Sequence, residues 1–287
     1  MSADGIAAAP PSGARADWTI DQGWAAYAPE EHRVWVTLYE RQTALLPGRA
    51  CEPYLNGLKA LDLHGEGIPD FNEMNERLGA LTGWKVVAVP GLVPDEVFFD
   101  HLANRRFPAG RFIRRADQLD YLEEPDVFHD VFGHVPMLTN PTFADYMQAY
   151  GEGGRRAMRL GQLHNLARLY WYTVEFGLLD TPEGLRIYGA GIVSSHGESV
   201  FSLEDPSPNR LGFELTRVMR TPYRIDDFQQ VYFVLPSLQR LLDDTLQDFG
   251  PIYQNLKGLD DIAIDAITPP DLVFTRGSQA YATAPVR

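Results

Sequence analysis

Apolar residues recur at helical spacing along most of the chain, and this pattern constrains the fold more than any other feature. Residues 28–48 carry one such stripe, and residues 69–83 carry a second that ends at Gly83. The pattern predicts a mainly α-helical fold with minor β-sheet, which in fold-class terms is α+β. The 287 residues, 45% of them hydrophobic, can bury a sizeable core.

Further boundaries can be predicted from local residue chemistry. Asn140 followed by Pro141 is typical of a helix N-terminus, because the side-chain oxygen caps the helix and proline suits its first turn. A long helix is predicted from about residue 155 to 179. Residues 84–90 and 112–115 have strand character.

Both ends of the chain are poor in periodic apolar positions. Residues 1–17 are predicted to be a disordered tail, and residues 268–287 a loosely ordered one. Residues 18–267 contain no linker composition and no internal repeat, so they are predicted to form a single domain.

Charge and cysteine content exclude several classes of protein. The formal net charge of -14 would repel nucleic acid and anionic lipid. The single cysteine, Cys51, cannot form an intramolecular disulfide or a cysteine-based metal cluster. The N-terminus lacks the pattern of a signal peptide, and no apolar run is long enough to span a membrane. We therefore expect a soluble cytoplasmic protein that binds neither nucleic acid nor membrane.

Two histidines, His129 and His134, stand five residues apart, a spacing that places them on different faces of an α-helix. If both imidazole rings contact the same position in space, the helix must end between the two histidines. Gly133 is a plausible stop, and Pro136 would prevent the helix from resuming. On the spacing alone, two core histidines remain the simpler interpretation.

A third polar residue, Glu175, stands on an apolar helical face with Trp171, Val174 and Leu178. A carboxylate there loses hydration and needs a cation, a metal or several hydrogen-bond donors. Pairing with an arginine is one explanation. Together with two histidines, however, the carboxylate completes the facial triad of non-haem Fe(II) oxygenases. Zinc hydrolases can use the same three groups, although the HExxH motif is absent.

Three segments in this order resemble the catalytic domain of the pterin-dependent aromatic amino acid hydroxylases. They are YLEEPDVFHDVFGHVPML (121–138), LYWYTVEFGL (169–178) and YGAGIVSSHGES (188–199). The likeness covers about residues 30 to 250 and is greatest to the single-domain bacterial phenylalanine 4-hydroxylases.

The resemblance implies Fe(II) held by His129, His134 and Glu175, with O₂ and a tetrahydropterin such as tetrahydrobiopterin as co-substrates. The implied reaction is hydroxylation of L-phenylalanine to L-tyrosine. Tryptophan hydroxylation within the same family, a zinc hydrolase and a non-catalytic aromatic-amino-acid binding protein remain alternatives.

Other positions follow from the matched segments. Arg114 corresponds to the arginine that binds the amino acid carboxylate, and Ser194, at the substrate pocket, to the serine that orients the first iron-binding histidine. The remaining positions are Tyr121, Pro125 and Trp171 for the substrate pocket, and Gly91, Leu92 and Phe98 for the pterin.

The chain also departs from the animal members. Asp130 replaces a glutamate, His196 replaces an aromatic residue at the pocket edge, and Ile225 replaces the acidic residue of tyrosine hydroxylases, a change that favours phenylalanine. Glu198 matches a family acid to which no role is assigned. Because no regulatory domain and no heptad helix are present, we expect a monomer.

Overall fold

The structure is a computed structural model that describes residues 9–120 and 124–282. Helices make up most of its regular elements. The α-helices are α1 (Pro29–Leu45), α2 (Glu52–Ala60), α3 (Phe71–Thr82), α4 (Asp95–Ala103), α5 (Pro141–Leu160), α6 (Leu163–Tyr170), α7 (Ala190–Val193), α8 (His196–Glu204), α9 (Leu215–Met219), α10 (Leu238–Leu246) and α11 (Phe249–Leu256). Two π-helical segments cover Phe128–His134 and Trp171–Glu175, and two 3₁₀ turns cover Trp24–Ala26 and Val135–Thr139.

The strands form two small sheets. They are β1 (Lys85–Val89), β2 (Arg106–Gly110), β3 (Leu178–Thr181), β4 (Gly184–Ile187), β5 (Asn209–Gly212), β6 (Val231–Leu235) and β7 (Val273–Thr275). β1 and β2 pair in parallel. The second sheet has the order β4-β3-β6-β5-β7, with parallel pairs on both sides of the fully buried β6 and antiparallel pairs at the two edges. The α+β expectation is confirmed.

The first π-helical segment is anchored by its apolar side. Phe128 and Phe132 stack on each other with ring centroids 4.7 Å apart, and Trp35 of α1 meets Phe128 edge-on. Tyr54 of α2 donates a hydrogen bond to the backbone oxygen of Phe132. All four side chains are buried in the main core. This packing holds the opposite side of the segment, which carries the two histidines, in a fixed position.

Local chemistry predicted several elements correctly. α1, α3 and β1 occupy the predicted positions, and Gly83 ends α3 in the left-handed conformation with φ 75°. Asn140 accepts a hydrogen bond from the backbone N–H of Phe143 and so caps α5. These boundaries depend only on neighbouring residues, which explains why the sequence predicts them.

Two element predictions are wrong. The strand predicted at residues 112–115 lies earlier, at β2, because the pairing with β1 ends at Gly110. The long helix predicted from 155 to 179 is interrupted by Gly161, which has φ 65° and ends α5. Beyond it the chain forms α6, the second π-helical segment and then β3.

Part of each predicted tail lies outside the described residues, namely 1–8 and 283–287. Within residues 268–282, β7 pairs with β5, and Tyr281 donates a hydrogen bond to Asp227. The domain limits at 18 and 267 stay a prediction. No helix in residues 9–120 and 124–282 is long and apolar enough to cross a bilayer.

Candidate metal centre

The two histidines share a face because the segment that carries them is a π-helix. A π-helix bonds residue i to residue i+5, so residues five apart lie about one turn apart. The Nε2 atoms of His129 and His134 are 3.2 Å apart. The prediction that the helix stops at Gly133 and does not resume is wrong, since the π-helical segment includes His134 and a 3₁₀ turn with Pro136 in its first turn follows directly.

Gly133 has a packing role instead of a capping one. A Cβ atom at this position would lie 3.0 Å from the backbone oxygen of Ala190 and 3.2 Å from its Cβ. Glycine therefore lets the first π-helical segment approach the turn that begins α7. This close approach brings Ser194, at the end of that turn, within reach of the histidines.

Glu175 lies at the end of the second π-helical segment. One carboxylate oxygen is 3.3 Å from Nε2 of His134, and the other is 3.6 Å from Nε2 of His129. The proposed four-residue apolar face is only partly correct, because Leu178 belongs to β3 and not to the helix. Trp171 and Val174 do precede Glu175 on the same helical segment.

The three side chains fit a divalent metal ion. One ligand atom from each of His129, His134 and Glu175 lies within 4.8 Å of the other two. Two imidazoles and one carboxylate on one side of an ion leave the opposite positions open for water, oxygen or substrate. Such open positions are typical of a catalytic rather than a structural metal site.

Ser194 fixes the tautomer of His129. Its hydroxyl group donates to the backbone oxygen of Ala190, at 2.7 Å, and lies 3.0 Å from Nδ1 of His129. Because the single hydroxyl proton is used on Ala190, the oxygen must accept the Nδ1 proton. Nε2 of His129 then carries the free lone pair that a metal requires. The orienting role that the matched segment implies for Ser194 stays a prediction, and this contact supports it.

The turn at residues 189–191 also contacts Glu175. The backbone N–H of Gly191 faces the Glu175 carboxylate and helps to lower its pKa. A Cβ at Gly189 would lie 2.4 Å from the backbone oxygen of Glu175, so only glycine allows this approach. One short stretch, residues 189–194, thus supports ligands on both π-helical segments.

The charge states suit metal binding. Burial lowers the pKa of His129 to about 4, which keeps its ring neutral near pH 7. Burial acts to raise the pKa of Glu175, but the neighbouring ring of His134, by charge attraction and by its hydrogen bond, holds the pKa below its usual range. The site therefore presents the neutral ring of His129 beside an ionised carboxylate.

Arg114 is held by a buried carboxylate that the sequence motifs did not reveal. Nε and Nη2 of Arg114 donate to the two oxygens of Asp126, at 2.8 and 2.9 Å. Asp126 also accepts the backbone N–H of His129, at 3.0 Å. Burial acts to raise the pKa of Asp126, but the hydrogen bonds from Arg114 lower it overall. The spacing Asp-x-x-His is the signal that could have revealed this cap.

Asp130, which stands where the animal members carry a glutamate, contacts the end of β2. Its carboxylate accepts the backbone N–H of Gly110 at 2.7 Å. Burial raises the pKa of Asp130 to about 7. The carboxylate therefore ties the first π-helical segment to the end of β2.

The remaining predicted positions lie around these elements. Trp171 stacks on Tyr223, with ring centroids 4.3 Å apart, one turn before Glu175. Phe98 meets Tyr170 edge-on at 5.8 Å. Pro125 and Gly91 are half-buried; Pro125 follows Glu124 in the chain, and a Cβ at Gly91 would lie 3.2 Å from the Glu124 carboxylate. Leu92 is 44% exposed. Tyr121 lies outside the described residues. The structure brings the triad, Ser194 and Arg114 together; the pterin positions stay a prediction.

Comparison with known proteins identifies the family. The family model for biopterin-dependent aromatic amino acid hydroxylases matches residues 22–257 of the chain. The chain belongs to this family. The resemblance inferred from the three sequence segments is therefore confirmed.

Individual relatives agree with this assignment. This hydroxylase is 71% identical to phenylalanine-4-hydroxylase of Caulobacter vibrioides over 284 residues, which is 99% of this chain and 97% of the relative. It is 56% identical to phenylalanine-4-hydroxylase of Chromobacterium violaceum, over 92% of this chain and 89% of the relative. A crystal structure of the Chromobacterium violaceum enzyme with iron and phenylalanine bound matches with a TM-score of 0.87 and 54% identity, covering 92% of this chain and 96% of that one.

Proposed function

We propose that the protein is a phenylalanine 4-monooxygenase that converts L-phenylalanine to L-tyrosine with O₂ and a tetrahydropterin. Its Fe(II) ion is held by His129, His134 and Glu175. The observation that carries the proposal is the convergence of these three donors from two π-helical segments. The names of the bacterial relatives and the iron- and phenylalanine-bound structure support the choice of metal and substrate.

The bound groups and the protein have different tasks in the reaction. When bound, ferrous iron and the tetrahydropterin supply the activation of O₂. The protein keeps His129 in the tautomer with a free Nε2 through Ser194. It also holds the pKa of Glu175 below its usual range through the ring of His134 and the N–H of Gly191.

Arg114 binds the carboxylate of the amino acid substrate. Asp126 occupies the Nε and Nη2 edge of the guanidinium group, which leaves the Nη1 and Nη2 edge as a second fork. Nη1 makes a longer hydrogen bond, 3.3 Å, to the backbone oxygen of Leu119. Because Asp126 also accepts the backbone N–H of His129, it sets the position of Arg114 relative to the metal.

Aromatic side chains form the wall beside the metal. Trp171 and Pro125 line the space for the substrate ring, and this wall excludes water from the reacting groups. Gly91, Leu92 and Phe98 hold the pterin, with the Phe98 ring available for stacking. The enzyme acts as a cytoplasmic monomer, consistent with its net charge of -14 and its small-molecule substrates.

The test is a reconstitution. The protein is loaded with Fe(II) under anaerobic conditions and then given a tetrahydropterin, phenylalanine and air, with tyrosine measured by chromatography. We expect tyrosine that depends on both iron and pterin, and none from Glu175→Gln. Hydroxytryptophan from tryptophan without tyrosine from phenylalanine, or hydrolase activity with zinc and no iron-dependent turnover, would contradict the proposal.

A further inference from the structure

Glu198 is a buried acid that the reaction described above does not use. It lies in the first turn of α8 and is 4% exposed. Its place three residues after Ser195 matches a capping box, in which the glutamate would accept the backbone N–H of Ser195. That N–H donates instead to the backbone oxygen of Ile192. The carboxylate of Glu198 is therefore not used to cap its own helix.

The carboxylate instead crosses to the segment that leads into β6. One oxygen of Glu198 accepts the hydroxyl of Tyr232 and, at 3.3 Å, the backbone N–H of Gln229. Among the described residues no cation pairs with Glu198, and burial raises its pKa to about 7. Burying an acid without a cationic partner is costly, so its retention indicates a specific task.

Gln229 connects Glu198 to Trp171. Its side-chain Nε2 donates to the backbone oxygens of Arg224, at 2.9 Å, and Asp227, at 3.3 Å. With Nε2 used in this way, Oε1 points the other way and accepts the indole Nε1–H of Trp171 at 3.0 Å. Gln229 is 3% exposed, so water cannot replace these partners.

The orientation of the Trp171 indole affects the substrate pocket because the indole lies close in the chain to the metal ligand Glu175. In the second π-helical segment it stands one turn before Glu175 and on the same side. The indole stacks on Tyr223, with an angle of 15° between the rings. Its ring centroid lies 4.8 Å from that of Phe176. Stacking fixes the plane of the indole, whereas the hydrogen bond to Gln229 fixes its rotation within that plane. Trp171 remains partly exposed, so it can meet a ligand beside the metal.

We propose that Glu198 is a positioning residue that, through Gln229, sets the orientation of the Trp171 indole in the substrate pocket. The inference rests on the proposed function for its substrate. It predicts that Glu198 controls the binding of phenylalanine without touching it.

The first test compares two variants of Glu198. Glu198→Met keeps the approximate volume but removes the acceptor, and we expect KM for phenylalanine to rise about tenfold, with kcat changed less than about twofold. Glu198→Gln keeps an oxygen acceptor for both donors, and KM should stay within about twofold of wild type. Glu204→Ala, an exposed acid at the other end of α8, is the matched control and should also leave KM unchanged.

The second test asks whether Glu198 acts through Gln229. Gln229→Met should raise KM as Glu198→Met does, and the double variant should be no worse than either single one, because both remove the same link. If Glu198→Met does not fold, Gln229→Met alone decides the outcome. An unchanged KM in a folded Gln229→Met variant would overturn the proposal, as would additive effects in the double variant.

The third test does not depend on activity. The chain has five tryptophans, so ¹⁵N-indole spectra of the metal-free protein are simple, and Trp171→Phe assigns the relevant N–H signal. We expect that signal to shift in Glu198→Met and to keep its wild-type position in Glu198→Gln. An unshifted signal in Glu198→Met would overturn the proposal. If the wild type makes no tyrosine, the proposed function fails, while this spectrum still decides whether Glu198 orients Trp171.

Discussion

The Oγ atom of Ser194 lies 3.0 Å from Nδ1 of His129 and donates its own proton to the backbone oxygen of Ala190. Since this arrangement fixes which histidine nitrogen carries the lone pair, Ser194→Ala should weaken iron binding without unfolding the protein. Loss of such a partner to a metal-binding histidine typically costs about 10- to 100-fold in affinity. Anaerobic Fe(II) titration of both proteins measures the effect.

Ser199→Ala is the matched control for that prediction. Ser199 is equally buried and donates to the backbone oxygen of Ile192, but it makes no contact with the described histidine ligands. It should reduce stability to a similar extent and leave iron affinity unchanged. Equal iron affinity in Ser194→Ala and wild type would show that the serine does not orient His129.

Arg114→Lys tests the second fork of the guanidinium group. Lysine keeps the charge opposite Asp126 but lacks the planar fork that would pair in bidentate fashion with Asp126 on one edge and with the substrate carboxylate on the other. We expect kcat/KM for phenylalanine to fall about 100-fold, which corresponds to about 3 kcal/mol of transition-state stabilisation. Arg115→Lys, at an exposed arginine paired with Asp117, should change kcat/KM by less than about twofold. A similar loss in both variants would contradict a role specific to the guanidinium group of Arg114.

Gly133→Ala tests the close approach between the first π-helical segment and Ala190. Alanine normally stabilises a helix relative to glycine, by about 1 kcal/mol. Here the added Cβ would lie 3.0 Å from the oxygen of Ala190, so the free energy of unfolding should fall by about 1–3 kcal/mol. Gly153→Ala in α5, where a Cβ meets nothing within 4 Å, should be neutral or stabilising. Urea unfolding distinguishes the two; stabilisation by both substitutions would refute the packing argument.

The acid at Glu198 predicts a pH dependence of stability. Burial raises its pKa from 4.5 to about 7, so between these values the unfolded chain releases a proton that the folded chain keeps. The free energy of unfolding of the wild type should therefore fall relative to Glu198→Gln as pH rises from about 4.5 to 7, on the order of 3 kcal/mol in total. Tyr232, Asp227 and Gln229 face the carboxyl group and are retained in the variant. Parallel stability curves from pH 4.5 to 8 would contradict a raised pKa.

Sequence patterns predicted those features that depend on neighbouring residues. The end of α3 at Gly83 and the cap of α5 at Asn140 follow from local backbone chemistry. The three metal ligands also emerged, because a carboxylate in an apolar stretch and two histidines are unusual enough to require an explanation. These residue types suit one metal ion whatever the backbone conformation between them.

Other features could not be predicted because they depend on distant contacts. A 3.6-residue periodicity assumes an α-helix, so it could not show that His129 and His134 lie on a π-helical turn. The role of Gly133 requires Ala190, which is far along the chain. The partners of Glu198 are Gln229 and Tyr232, and only the fold brings them together.

The most direct test of the metal assignment is a crystal structure of the Fe(II)-loaded protein with diffraction recorded at the iron absorption edge. We expect one anomalous peak at coordination distance from Nε2 of His129, Nε2 of His134 and the carboxylate of Glu175, with the remaining positions free of protein ligands. A peak away from these three groups, or a fourth protein ligand on the ion, would contradict the assignment.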